Sequence, residues 1–298
     1  MKKNNIRISF IIVSYNSCEL TIQTIESILR YSNNEHYEVI VVDNNSMDNT
    51  EYHVKEKFPS VKWIQSGDNI GFGRANNLGV QYSLGDYLLF INSDTIVSSD
   101  IAAEFMTFFN SHDNDCILGA RLIDINGNPN TSFSRNFPGI KYELENLLFF
   151  FYKQNNRFYN ITEKPLFING PVSGACFFMK KSTFNDLNGF NEKFFLYYEE
   201  TDLFVRAKRN NIDIISLPQP CLIHLEGGSE KVKEKTLERS YLSKGLYFSL
   251  NISRSEYLIY KTFFYFNALS RLLFYFILRN KAKVNFWLTL LKLERKYV

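Results

Sequence analysis

The sequence contains little cysteine, and its cysteines are scattered. The 298-residue chain has four of them, and no two form the CxxC pair that binds zinc or carries out dithiol chemistry. Most stand in apolar surroundings, so the pattern excludes a disulfide framework and favours a reducing, cytosolic compartment. The four are Cys18, Cys116, Cys176 and Cys221.

The N-terminal region also lacks the long apolar run of a secretory signal. Lys2 and Lys3 are followed by the short run FIIV, which ends at the polar residues 14–16. A signal-peptide core needs about 7–15 apolar residues. We therefore expect a cytoplasmic protein.

The composition indicates a globular chain whose charge is unevenly distributed along the sequence. Hydrophobic residues make up 45% and aromatic residues 16% of it, which is enough for a large core in one elaborate domain or two. Residues 231–298 contain 14 Lys and Arg, four Glu and no Asp. That segment carries +10, and residues 1–230 carry −7. We expect two surfaces with different partners, neither of them a nucleic acid.

Strand-like and helix-like apolar patterns alternate in the first part of the chain. Such alternation predicts a doubly wound α/β sheet. In these sheets ligands bind at the carboxyl ends of the strands, and Asp43 and Asp94 stand at two of those ends. Strands are predicted at residues 8–13, 38–42, 61–65 and 86–92, and helix faces at Ile22, Ile25, Ile28 and Leu29 and at Phe72, Ala75, Leu78 and Tyr82.

The pattern becomes irregular after Asp94. Residues 122–170 are rich in Asn, Gly, Pro and aromatic residues, which predicts a long segment that is mobile or contacts a substrate. Order returns with a strand at residues 173–181. Two more short strands are predicted at residues 212–218 and 221–224, and the second ends on His224.

Asp94 and His224 are both predicted to lie at strand ends, where they can meet. A carboxylate and an imidazole with open positions beside them can hold Mg²⁺ or Mn²⁺ against phosphate oxygens. Each residue also has a structural explanation, because Asp often caps a turn and His often packs in a core.

An acidic cluster follows the aromatic run FFLYY at residues 194–198. Aromatic faces beside carboxylates suit a sugar, and a carboxylate among rings and another acid has the raised pKa of a general base. Glu199, Glu200 and Asp202 also have a structural explanation. Acids are favoured in the first turn of a helix, and Asp202 can pair with Arg206.

Seven ordered motifs across residues 8–230 resemble the inverting family 2 glycosyltransferases of the GT-A fold, particularly their rhamnosyltransferase-like branch. This resemblance implies a Rossmann-like, mixed and mostly parallel α/β sheet flanked by helices, with a C-terminal helical extension. The motifs are IIVSYNS (11–17), VVDNNSMD (41–48), NIGFGRANNLG (69–79), LLFINSDT (88–95), SGACFFMKK (173–181), GFNEKFFLYYEETDL (189–203) and IHLEGGS (223–229).

The resemblance also implies domain boundaries and roles for individual residues. Residues 1–230 would be the catalytic domain, with a nucleotide-sugar half over about residues 1–121 and an acceptor half over about residues 122–230. Asp94 and His224 would be the metal ligands. Glu200, which follows Glu199, would be the base. The donor would be bound by Asn16, Asp43, Asn45, Gly71, Asn76 and Asn92.

Two positions depart from the family's usual pattern. The base position holds Glu200 where Asp is usual, and Asn92 takes the first place of the Asp-x-Asp metal motif, as it does in the rhamnosyltransferase-like branch. The extra methylene of Glu200 leaves Asp202 as a substitute base. The implied reaction is one in-line displacement with inversion. It moves a sugar from dTDP-rhamnose or a UDP-sugar to a glycan or lipid-linked hydroxyl, in bacterial surface polysaccharide synthesis.

Two alternatives have different functions. IGFGRANNLG follows a predicted strand and opens a helix, as a dinucleotide fingerprint of an NAD-dependent oxidoreductase does. However, Asn76 replaces its third glycine, and the motif belongs to the third βα unit. The second alternative is a catalytically inactive nucleotide-sugar binding protein with the same fold.

The basic, aromatic segment at residues 231–298 is a predicted helical extension. Its apolar stretch, residues 257–278, is interrupted by Lys261, Asn267 and Arg271, so a membrane span is not expected. Through residues 250–298 the extension either lies on the inner face of the plasma membrane, packs on the catalytic domain or forms a homo-oligomer interface.

Overall fold

A computed structural model describes residues 7–32, 36–152, 163–225 and 234–298. The predicted boundary at residue 230 and residues 226–229 of the last motif lie outside this part of the chain. Along the chain the elements are β1 (Ile8–Ser14), α1 (Cys18–Tyr31), β2 (Tyr37–Asp43), α2 (Thr50–Lys57), β3 (Lys62–Gln65), α3 (Phe72–Gln81), β4 (Tyr87–Ile91), β5 (Thr95–Val97), α4 (Ile101–Ser111), β6 (Cys116–Ile123), α5 (Ile140–Tyr152), β7 (Leu166–Phe167), β8 (Cys176–Lys180), α6 (Lys181–Asp186), α7 (Glu199–Arg209), β9 (Asp213–His224), α8 (Glu234–Asn251), α9 (Arg254–Ile277) and α10 (Lys281–Tyr297).

The strands form one mixed sheet in the order β3-β2-β1-β4-β8-β6-β9-β5, with β7 paired to β9. Strands β1 to β4 are parallel to one another, whereas β8 runs antiparallel to both β4 and β6. The chain passes outward from β1 to β3 and then returns to place β4 on the other side of β1. Loops diverge at this reversal, and an open crevice forms beyond the carboxyl ends of β1 and β4.

Both faces of the sheet are buried, because its central strands are apolar on both sides. All seven residues of β1 are buried, as expected for a parallel strand covered by helices. Phe10 and Ile12 contribute to one core with α1 and α4. Ile11 and Val13 contribute to the opposite core with α3, α6 and α7. The mixed α/β sheet and its flanking helices are therefore confirmed.

One strand prediction is wrong. Residues 212–218 and 221–224 were expected to form two short strands, but they form the single strand β9, Asp213–His224. It pairs with β6 on both sides of a register shift between Gly119 and Arg121. Such an irregularity allows a strand to continue past residues that make no ladder hydrogen bonds, including proline.

The C-terminal helices pack on the sheet domain and on one another. A third apolar cluster joins Val205 of α7 to Tyr247 of α8 and to Tyr260 and Phe264 of α9. Helices α8 and α10 approach closely at Gly245, where an added Cβ would lie 1.9 Å from the Tyr297 carbonyl oxygen. No helix within the described ranges is long and apolar enough to cross a membrane.

Candidate active site

A cavity of about 410 Å³ opens at the carboxyl ends of β1 and β4, which is a typical size for a small-molecule site. The start of α3 and the FFLYY segment before α7 form part of its wall. Its lining residues are Val13, Tyr15, Asn16, Ser17, Asn44, Asn69, Gly71, Phe72, Asn92, Ser93, Asp94, Phe195, Leu196 and Arg239. We call this cavity the donor cleft.

The loop after β2 forms one wall beside Asn16. The Asn16 backbone N–H donates to Ser46 Oγ at 2.9 Å, and Asn16 Oδ1 accepts from the Met47 N–H at 2.7 Å. Asn16 and Asn45 both have left-handed φ angles, of 50° and 64°, a conformation that Asn tolerates better than most residues. These bonds hold the two loops together at the cleft, although Asn45 does not line it.

Asp43 holds the loop after β2 in place and does not line the donor cleft. Its side chain is 2% exposed. The carboxylate accepts hydrogen bonds from the Ser46 N–H at 2.9 Å, the Ser46 hydroxyl at 2.5 Å and Gln65 Nε2 at 2.9 Å. Both carboxylate oxygens are therefore engaged within the protein, so contact with a nucleotide base stays a prediction.

Gly71 fixes the position of the segment that precedes the acidic pair. It has a φ of 89°, and an added Cβ would lie 2.4 Å from the Phe195 carbonyl oxygen. The Phe72 N–H donates to that same oxygen at 2.9 Å. Only glycine fits both the backbone angle and the close approach. The motif therefore serves to join α3 to FFLYY rather than to open a turn for a pyrophosphate.

Asn76, like Asp43 and Asn45, does not line the donor cleft. It is buried in α3, and its Nδ2 donates to the Phe72 carbonyl oxygen at 3.1 Å. Sequence reasoning missed Asn44 instead. Asn44 lines the cleft, donates to Asn69 Oδ1 at 3.1 Å and accepts from the Ile70 N–H at 3.0 Å. The sequence feature that could have indicated Asn44 is its position in the motif VVDNNSMD.

Asp94 and His224 lie together at the edge of the cleft. Strand β5 pairs with β9 so that Thr95 stands opposite His224, and the Leu225 N–H donates to the Asp94 carbonyl oxygen at 2.9 Å. This pairing places His224 Nε2 3.3 Å from Asp94 Oδ1. Within the described ranges, no hydrogen-bond donor reaches the buried Oδ1 of Asn92, two residues before Asp94.

This donor set fits a hard divalent cation. Two atoms that bind one octahedral ion at right angles, with bonds of about 2.1 Å, lie about 3 Å apart, close to the observed 3.3 Å separation. Mg²⁺ commonly keeps only one or two protein ligands and takes the others from phosphates and water. Among the described residues, no group of three or more His, Cys, Asp and Glu converges as a metal site.

The acidic pair begins α7. Burial, and then the neighbouring Glu200, hold the pKa of Glu199 well above its usual value. Burial also raises the pKa of Glu200. Glu199 is 3% exposed, and no donor in the described part of the chain reaches its Oε2. Glu200 packs against Gly174, where an added Cβ would lie 3.3 Å from Glu200 Cγ.

The backbone before this pair is strained. Tyr197 and Tyr198 both have a φ of 69°, a conformation that bulky side chains rarely adopt and that costs about 1–3 kcal/mol per residue. Such strain persists only where the surrounding structure imposes it, and it concentrates at functional sites. Here it turns the chain from the donor cleft into α7.

Asp202 faces a different environment from Glu200. Its side chain is buried and pairs with Arg206 at 2.9 Å, as the four-residue spacing predicts. It also accepts from Asn251 Nδ2 at 3.0 Å, while Arg206 donates to the Gly189 carbonyl oxygen at 2.8 Å. These bonds link α7 to α8 and occupy the carboxylate, which favours a structural role over that of a substitute base.

The sequence matches the model of the family described as glycosyl transferase family 2 over residues 9–186. The chain belongs to that family. The match covers most of the residues that line the donor cleft, including Asn92 and Asp94, but not Phe195, Leu196 and Arg239, and it agrees with the resemblance of the motifs. It also favours the transferase interpretation of IGFGRANNLG over the dinucleotide interpretation.

The chain is similar to two curated proteins and to one solved structure. A low-salt glycan biosynthesis hexosyltransferase, Agl10, from Haloferax volcanii is 28% identical over 74% of this chain and 71% of its own. An N-acetylglucosaminyl-diphospho-decaprenol L-rhamnosyltransferase from Mycobacterium tuberculosis is 24% identical over 62% and 66%. A mannosyltransferase from Pyrobaculum calidifontis, solved with GDP-Man and Mn²⁺, has a TM-score of 0.58 at 14% identity, covering 83% of this chain.

This chain spans slightly less than two thirds of the length of the last two proteins, 66% and 64%. At 14% identity the mannosyltransferase likeness establishes the GT-A fold alone, and that part of the fold prediction is confirmed.

Proposed function

We propose that this family 2 glycosyltransferase moves a hexosyl or rhamnosyl unit, with inversion, from a nucleoside-diphosphate sugar to a saccharide hydroxyl. The donor would be dTDP-rhamnose or a UDP-sugar, and the acceptor a glycan or lipid-linked saccharide of surface polysaccharide synthesis. The named relatives act in glycan and lipid-linked saccharide synthesis, which supports this choice of substrates.

One observation carries the proposal, namely the route of contacts from Asn92 to Glu200. The Asn92 N–H donates to the Ala175 carbonyl oxygen at 2.9 Å. The preceding residue, Gly174, packs against Glu200. Asn92 and Glu200 therefore contact adjacent residues of one loop, which supports placing the base beside the metal-binding edge of the donor cleft.

Asp94 and His224 would hold Mg²⁺ or Mn²⁺ at that edge, with Asn92 Oδ1 nearby. When bound, the ion supplies positive charge that stabilises a departing diphosphate. Asn16, Asn44 and Gly71 would shape the nucleotide pocket, and Asp43 would hold the loop beside it. These residues orient the donor so that its anomeric carbon faces the FFLYY segment and the acidic pair.

Glu200 would accept the proton of the acceptor hydroxyl as that oxygen attacks the anomeric carbon. Burial raises the pKa of Glu200, so its carboxylate is a stronger base than an exposed Glu. Glu199 stays protonated to higher pH because burial and the neighbouring acid raise its pKa. The pair therefore keeps one negative charge close to the acceptor oxygen, as coupled carboxylates do.

The extension would hold the enzyme against the cytoplasmic face of the membrane, close to a lipid-linked acceptor. The apolar side chains of Phe266, Leu269, Leu273, Phe276 and Ile277 are exposed along α9, and Phe276 is 72% exposed. The connection to α10 adds Arg279, and the start of α10 adds Lys281 and Lys283. An apolar face bordered by cations suits an anionic lipid surface.

A thermal-shift panel tests the proposed donor class. UDP, dTDP, GDP and NAD are each added with and without Mg²⁺ or Mn²⁺, because a ligand of the folded state raises the melting temperature. We expect one pyrimidine diphosphate to stabilise the protein only with metal, and the shift to disappear in Asp94→Ala. Stabilisation by NAD without metal would overturn the proposal. Normal donor binding without any sugar transfer would indicate an inactive binding protein.

A further inference from the structure

A second cavity, of about 520 Å³, lies between the sheet domain and the C-terminal helices. Residues of α5, the start of α7, α8, α9 and α10 line it. Helix α9 presents Tyr260, Phe264, Asn267 and Arg271 to this cavity, a stripe on the side opposite its exposed apolar face. The cavity is therefore separate from both the donor cleft and the proposed membrane surface.

The cations at the wall of this cavity are engaged by other residues of the protein. Lys244 Nζ lies 2.9 Å from Glu294 Oε2, and the Tyr260 hydroxyl donates to Glu294 Oε1 at 2.9 Å. Glu143 lies nearby and accepts from Asn267 Nδ2 at 3.2 Å. Arg271 donates to the Asn146 carbonyl oxygen at 2.9 Å, so both cations at the cavity wall are already engaged within the protein. An environment of this kind favours a neutral polar ligand over an anion.

Asn267 presents an unused hydrogen-bond acceptor to the cavity. Its side chain is 2% exposed, and nothing within the described residues donates to its Oδ1. A buried amide oxygen without a hydrogen-bond donor is energetically unfavourable. A hydroxyl group placed in the cavity would supply the missing donor.

Aromatic rings complete the lining. Tyr142, Tyr198 and Trp287 contribute to the wall, and the Arg271 guanidinium lies 4.9 Å from the Trp287 ring centroid. A pocket with aromatic rings in its wall and a few convergent polar groups is suited to a small organic molecule. A sugar ring matches it, because its C–H face packs on rings while its hydroxyls reach Asn267 and Glu143.

The cavity connects to the candidate base through a short stretch of chain. Phe195 and Leu196 line the donor cleft, whereas Tyr198 and Thr201 line this cavity. Glu199 and Glu200 lie between Tyr198 and Thr201, although neither of them lines either cavity. The segment FFLYYEET therefore runs from one pocket to the other, with the acidic pair at the end that lines the second cavity.

We propose that this cavity binds one neutral sugar unit of the acceptor saccharide. The identification of that sugar as part of the acceptor rests on the proposed transferase function. A sugar bound here would direct the saccharide toward Glu200 while the donor occupies its own cleft. The ligand class follows from the unused Asn267 acceptor, the engaged cations and the aromatic rings in the lining.

Saturation-transfer NMR on the full-length protein tests this proposal without any donor present. The probes are the methyl glycosides of glucose, galactose, mannose, rhamnose and N-acetylglucosamine, with inorganic pyrophosphate as the anionic comparison. We expect at least one glycoside to bind. Asn267→Leu should weaken it by about tenfold, the effect of losing about one buried hydrogen bond. Tyr142→Leu removes a half-buried ring and should weaken it comparably.

Two matched substitutions at exposed positions serve as controls, Asn285→Leu and Tyr52→Leu. Both should leave binding unchanged. The proposal is overturned if no glycoside binds, if only pyrophosphate binds, or if neither cavity substitution weakens the bound sugar. The two proposals can fail separately. If a glycoside binds as expected but no nucleotide stabilises the protein, the cavity is a sugar site and only the proposed transferase function is rejected.

Discussion

The Nε2 atom of His224 lies 3.3 Å from the Oδ1 atom of Asp94. Residues that are far apart in sequence meet because β5 and β9 pair antiparallel at the sheet edge, with Thr95 opposite His224. Both side chains are largely buried, so each is held by its strand. A carboxylate and an imidazole at this separation can bind one cation together without rebuilding the backbone.

Asp94→Asn should therefore abolish metal-dependent binding of the nucleoside diphosphate. The amide keeps the size of the side chain but removes the charge that attracts the cation. We expect the dissociation constant measured by calorimetry with Mn²⁺ to rise at least tenfold, about 1.4 kcal/mol. Asp86→Asn, at an exposed position before β4, is the matched control. Unchanged affinity in Asp94→Asn would exclude Asp94 as a ligand.

Glu200→Gln should lose sugar transfer while it keeps donor binding. Removal of a general base typically costs about 10²–10⁴ in rate, whereas the donor contacts lie in a separate cleft. Initial rates of transfer and the nucleotide-dependent melting shift measure the two properties separately. Glu200→Asp restores the family's usual residue and should retain part of the activity. Glu192→Gln, an exposed Glu of the same motif, should behave like the wild type.

The pH dependence of transfer gives an independent check on Glu200. Burial raises its pKa above the ordinary 4.5, and the base must be deprotonated to act. The rate should therefore rise with pH through a midpoint above 4.5 and then level off. A profile that stays flat from pH 4.5 upward would contradict the role of a buried base.

Much of the donor cleft could be predicted from sequence, because local patterns encode it. The β-branched run VIVV (39–42) predicts a strand buried on both faces, and Asp94 at the end of β4 marks the carboxyl edge. In each case neighbouring residues carry the signal.

The remainder depends on contacts between distant parts of the chain. Residues 212–224 look like two strands because prolines interrupt them, but pairing with β6 on both sides of the shift near Gly119 makes them one. Asn76 looks like a ligand-binding residue, yet it is buried in α3. The second cavity is built by five helices at once, so no single segment, including that around Asn267, indicates it.

Glu199→Gln should stabilise the protein, and increasingly so at higher pH. Burial raises the pKa of Glu199 in the folded state, so between about pH 4.5 and that pKa the folded chain binds more protons than the unfolded chain. Stability of the wild type therefore falls as pH rises, by up to about 1.4 kcal/mol per pH unit for this group. The variant has no such titration, because Gln is neutral throughout.

Thermal unfolding at pH 5 and pH 8 measures this difference. The melting temperature of Glu199→Gln relative to the wild type should be higher at pH 8 than at pH 5. Glu56→Gln, at an exposed position, should show no pH-dependent difference. An equal effect of Glu199→Gln at both pH values would show that Glu199 is not held protonated by burial.

Phe276→Ser combined with Ile277→Ser should reduce membrane association without affecting the donor cleft. These side chains are 72% and 69% exposed, so their replacement removes apolar contact with lipid and little packing within the protein. We expect the wild type to sediment with vesicles rich in anionic lipid, less so at high salt, and the double variant to stay largely in solution. Leu84→Ser, which is 68% exposed on the sheet domain, is the control. The alternative outcome is that the wild type and the double variant sediment equally with vesicles, while the wild type is a stable dimer and the double variant a monomer. In that case the exposed apolar face of α9 is a dimer interface.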